Sequence, residues 1–77
     1  MQAIVSGENP FKCLKNTLAI GPTSSGYTLM FGVSQEGPWT AWDEATPADE
    51  CVVINGATPY MWFYLDGNAD EEVEVIL

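Results

Sequence analysis

The sequence predicts an all-β domain: an antiparallel β-sandwich of six or seven short strands, with residues 1–77 forming one unit. Three observations predict it. Apolar and polar residues alternate with period 2 in several segments, which suits a pleated strand with one buried face. Gly and Pro punctuate the chain roughly every eight to twelve residues. No window of ten or more residues shows helical spacing.

The elements follow in order. "QAIVS" reads as an opening strand, closed by the turn-rich "GENP". "FKCLKNTLAI" carries Phe11 and Cys13 and then, after a break in phase near Asn16, Leu18 and Ile20; it is one bent strand or two short ones. "GPTSSG" is a loop by composition. "YTLMFGVS" sets Tyr27, Leu29, Phe31 and Val33 on one face, which makes them candidate core residues. After "QEGP", the segment "WTAWDEA" places Trp39 and Trp42 on opposite faces of a strand. "ECVVIN" is a strand ending at Asn55-Gly56, a tight-turn dipeptide. "PYMWFYL" follows, up to the turn at "DGN". The tail "EEVEVIL" alternates, with Val73 and Val75 inward.

The segment "PYMWFYLDGN" raises a question of covering. Large apolar or aromatic side chains run without a polar break from Tyr60 to Leu65, so neither face of that strand is polar. With Tyr60, Trp62 and Tyr64 facing the core, Met61, Phe63 and Leu65 lie outside, and a row of that kind calls for a partner. On this reading Phe63→Glu weakens assembly and leaves the monomer folded. Met61, Phe63, Leu65 and Trp42 are therefore the candidate partner-binding residues, and at least two of the three Trp are expected in the core.

Composition narrows the chemistry. Eleven Asp and Glu stand against two Lys, with no His, for a net charge of −9. Such a surface repels nucleic acid and anionic membranes. It keeps a small domain dispersed, and it can also approach a basic protein or imitate nucleic acid. Without His there is no Ser–His or Cys–His pair and no imidazole base; without Arg there is no bidentate phosphate clamp. The adjacent acids Asp43–Glu44 and Asp49–Glu50 face opposite ways on a strand and make poor catalytic pairs. Neither an enzymatic activity nor a cofactor is expected. Asp66, Asn68 and Asp70 alternate as calcium ligands do, but Glu71 and Leu77 stand where a helix–loop–helix calcium loop needs Gly and Glu, so a solvated turn is expected. Cys13 and Cys51 are expected as buried free thiols rather than a bridge. The opening residues lack the pattern of a secretion signal, and no apolar stretch is long enough to span a bilayer, so a soluble protein made in a cytoplasm is expected.

"GYTLMFGVSQEGPWTAW" followed by "CVVINGATPYMWFYLDGN" resembles the middle and late strands of an immunoglobulin-like or fibronectin type III-like sandwich. The resemblance covers about the last fifty residues and implies that Tyr60 is a tyrosine-corner residue. The stretch from Gln35 to Asn68 is also similar in style to head-fibre and capsid-decoration modules of tailed-phage virions. That likeness implies a non-enzymatic structural protein of the virion, made in the host cytoplasm, contacting capsid or fibre subunits or copies of itself in an oligomer. Two other readings stand beside it: a small acidic cytoplasmic inhibitor that mimics nucleic acid, and a carbohydrate-binding module that uses exposed Trp.

Overall fold

The computed structural model describes residues 2–42, 45–68 and 71–77. They form eight strands: β1 (Gln2–Ser6), β2 (Phe11–Lys12), β3 (Thr17–Ile20), β4 (Thr28–Gly32), β5 (Thr40–Ala41), β6 (Val52–Asn55), β7 (Trp62–Asp66) and β8 (Glu72–Ile76). Sheet A has the order β1-β8-β3-β6 and sheet B the order β2-β7-β4-β5. Every pairing is antiparallel.

The fold is the all-β sandwich expected, with eight strands in place of six or seven. The extra strand comes from "FKCLKNTLAI". Its phase break is a crossing between sheets: β2 pairs with β7 in sheet B, and β3 pairs with β6 and β8 in sheet A. The connection is held where Gly56 and Ala57 N–H donate to the Asn16 carbonyl at 2.9 and 3.0 Å. Conversely, among the described residues of "WTAWDEA" only Thr40–Ala41 form a strand, β5.

Connectivity corrects the immunoglobulin-like expectation. That fold sets four strands against three; here four face four. The pairs β1·β8, β2·β7, β3·β6 and β4·β5 are those of one long hairpin rolled up on itself. This is the double-sheet jelly-roll arrangement.

The core lies between the sheets. Sheet A contributes Val5, Leu18, Ile20, Ile54, Val73 and Val75; sheet B contributes Phe11, Leu29, Phe63 and Leu65. Val73 and Val75 are buried as expected, with Glu72 and Glu74 outward on β8. Tyr27 and Leu29 are buried, and Phe31 packs partly buried against the same cluster. The Tyr27 hydroxyl is enclosed, and burial pushes its pKa above the ordinary value. Val33 is a correction: β4 ends at Gly32, so the alternation stops before it and Val33 is 85% exposed.

Both cysteines are free thiols. Cys13 is buried as expected, whereas Cys51 is exposed, one residue before β6.

Candidate functional site

The strand that posed the covering problem, β7, has the opposite phase to that expected. Phe63 and Leu65 are each 0% exposed. Met61 is half-buried against the core, and Trp62 and Tyr64 lie half-buried on the outer face. Register explains the inversion. Trp62 is paired with Lys12 on one side and Gly32 on the other, while Phe63 is paired with Phe11 and Phe31. A lysine cannot be buried unpaired at reasonable cost, so the Lys12 row takes the solvent face and the Phe row fills the core. Phe63 stacks on Phe11 with ring centroids 6.1 Å apart. Phe63 and Leu65 are thus core residues rather than a docking row, and Phe63→Glu would bury a charge and unfold the monomer.

Two other assignments change with it. Trp42 was expected outside; it packs edge-on to Phe31 at 5.3 Å and against Phe63 at 5.8 Å, so it closes the flank of the core. Trp39 and Trp62 are the outward tryptophans, so only one of the three belongs to the core side. Trp39 meets Tyr64 edge-on at 4.8 Å and lies over Gly32, where an added Cβ would stand 3.1 Å from the indole Cε3. Gly32 is what lets that ring settle on the sheet.

Tyr60, expected in the core as a tyrosine corner, is 67% exposed. It sits in the turn before β7 with φ at 68°, the left-handed region that a bulky side chain rarely adopts. The turn is fixed on both sides: Tyr60 N–H donates to the Cys13 carbonyl at 2.7 Å, and Met61 N–H donates to the Thr58 carbonyl at 3.1 Å. The Lys12 ammonium stands 5.5 Å from the Tyr60 ring centroid and 5.7 Å from that of Trp62. Beside Tyr60, a hollow of about 310 Å³ is lined by Val33, Thr58, Pro59, Tyr60 and Met61. The residue pattern held one hint of this patch: both lysines of the chain lie within four positions of each other, next to the β2 pairing.

This patch belongs to one rim of the sandwich, built by the connections 13–16, 33–39 and 56–61. The opposite rim carries Glu8, Asp49, Glu50 and Glu71, with Asp66 ending β7. Two of these acids hold the backbone. Glu71 accepts from Ser24 N–H and Oγ at 3.0 Å, and Glu8 accepts from Gly67 N–H at 2.7 Å. Asn68 is fully buried, donating to the carbonyls of Gly7 at 3.0 Å and Glu71 at 3.2 Å. The "DGN" turn is therefore anchored by a buried amide rather than solvated at Asn68. No cluster of three potential metal ligands occurs among the described residues. Asp43, Glu44 and Asp70, named above as candidate acids, lie outside the described residues.

The outer face of sheet A presents a second patch. Register places Gln2, Ile76, Ala19 and Val53 in one row across all four strands. Ile4, Val53 and Ile76 are 57%, 69% and 54% exposed. Neither edge strand, β1 "QAIVS" nor β6 "VVIN", carries a charge or a proline. Those are the usual devices that keep a sheet edge unpaired. Compared with protein-family models, with curated proteins and with solved structures, the chain matches none.

Proposed function

We propose that this chain is a non-enzymatic structural module that docks onto a larger protein assembly through the outer face of sheet A. The observation that carries the reading is that Ile4, Val53 and Ile76 are each more than half exposed on this one face, Val53 and Ile76 sharing a register row with Ala19 and Gln2. Large apolar side chains left open to water on one sheet face mark an interaction surface. Glu72 and Glu74 point to the same side of β8 as Ile76. An apolar centre with acidic neighbours fits a partner whose own apolar patch has a basic margin. A second copy fits less well, because each copy carries a net charge of −9 and the two would repel.

The setting we propose is a virion, with the module decorating a capsid or anchoring a fibre. Jelly rolls recur in viral capsid domains, which supports the setting by architecture alone. The test is the double variant Val53→Glu, Ile76→Glu. Both positions are exposed, so the fold is retained while attachment is lost in co-sedimentation with purified particles. A double variant that stays particle-bound at wild-type occupancy would overturn the assignment of this face. Particles that lack the protein altogether would overturn the setting, and a symmetric oligomer in light scattering would replace the heterologous partner with a second copy.

A further inference from the structure

We propose that the rim carrying Lys12 and Tyr60 is a binding site for an anionic sugar: a pyranose bearing a carboxylate, with its ring against Tyr60 and its carboxylate at the Lys12 ammonium. The site is separate from the apolar face of sheet A and does not depend on it.

Four features converge there. First, Tyr60 holds a left-handed backbone conformation (φ 68°) and is 67% exposed, so burial of its ring does not repay that strain. Strain of this kind persists where the surroundings enforce it, and it clusters at binding sites. Among the described residues, the other non-glycine one with positive φ, Asp49, needs no such account, because aspartate enters that region readily.

Second, charge is concentrated at this rim. Both lysines of a chain with net charge −9 lie on the β2–β3 segment that is hydrogen-bonded to Tyr60 and Met61. Among the described residues, Glu36 is the one acid on the three connections that build the rim. The remaining described acids lie on the opposite rim or on β8. An anion approaching this molecule is repelled nearly everywhere else and is favoured here.

Third, the cation is held in place. The Lys12 ammonium lies over two aromatic rings, 5.5 Å from the centroid of Tyr60 and 5.7 Å from that of Trp62. Cation–π attraction positions it without neutralising its charge.

Fourth, the adjoining hollow is formed by side chains of two connections and not by a strand edge. Its lining combines an aromatic residue, Tyr60, and the hydroxyl-bearing Thr58 with the apolar Val33, Pro59 and Met61, and Lys12 stands next to it across the Tyr60 ring. An extended peptide binds mainly through a ladder of main-chain hydrogen bonds, which such a hollow does not supply. A pyranose needs what is present: a flat apolar surface for its C–H face, a few hydroxyl partners for its rim, and one cation for its carboxylate.

Titration of the intact protein with tri-galacturonate, followed by amide and indole NMR shifts, tests the proposal. Shifts confined to Lys12, Val33, Thr58–Trp62 and the Trp62 indole are expected, with at least a tenfold loss of affinity in Lys12→Met and in Tyr60→Ala. A neutral maltotriose control binds at least tenfold more weakly. Absence of shifts at millimolar trisaccharide overturns the proposal, as does binding that Lys12→Met leaves intact. Equal binding of maltotriose removes the charge requirement and overturns the anionic assignment. A glutamate-rich peptide that shifts the same resonances where the sugar does not would place a protein ligand at this rim instead.

Discussion

At the acidic rim, polar groups are spent on the backbone: Glu71 holds Ser24, Glu8 holds Gly67, and buried Asn68 ties Gly7 to Glu71. Left-handed backbone at that rim falls on Gly7, Gly26, Gly67 and Asp49, residue types that adopt it at little cost. At the lysine rim, left-handed backbone falls on Gly37 and Gly56 but also on the bulky Tyr60, an exposed valine stands at the end of β4, and a lysine rests on two rings. The first rim is explained by stability. The second contains features that stability does not explain, and such local departures from good folding practice are where binding sites are expected.

β7 runs from the lysine rim at Trp62 to the acidic rim at Asp66, and the largest expected effect tests its phase. Phe63→Ala is expected to cost about 3–5 kcal/mol, the range for a fully buried Phe. That is a large share of the stability of a domain this small. Trp62→Ala, on the outer face, is expected to cost clearly less. Equal losses in urea denaturation would contradict the inward placement of Phe63 and with it the division between rims.

Asn68→Ala probes the acidic rim. The buried Gly7 carbonyl loses its bond to the amide, the part-buried Glu71 carbonyl keeps only the Gly7 N–H, and a destabilisation of about 1–3 kcal/mol is expected from denaturation midpoints. A neutral result would mean that the turn is held by its backbone alone.

Tyr60→Gly is the smallest effect and has the opposite sign. Glycine relieves the left-handed strain, and the exposed ring contributes little burial, so a gain of about 1 kcal/mol is expected. Calorimetry decides it. A loss of stability would make Tyr60 a structural residue and bring the two rims closer in kind.

Much of the strand content was legible because alternation reports one buried face directly. In β8, Val73 and Val75 alternate with Glu72 and Glu74, and the structure places them as that pattern requires. β4 was legible up to Phe31; Val33 failed because nothing in its own residues marks where the pairing with β7 stops. The candidate site was largely illegible. "YMWFYL" has no polar residue to say which face is outward, and the deciding residues, Lys12 and Gly32, lie far away in the chain.

Residue order by itself determined an all-β chain, its turns, its strongly acidic balance and the absence of histidine and arginine chemistry, since these depend on local spacing and composition. Only the tertiary structure decided the four-on-four connectivity, the inward face of β7 and the meeting of Lys12 with Tyr60 and Trp62. Register joins residues distant in sequence, and a slip of one position turns every side chain of a strand to the other face. Where both faces of a strand are apolar, only its neighbours can choose between them.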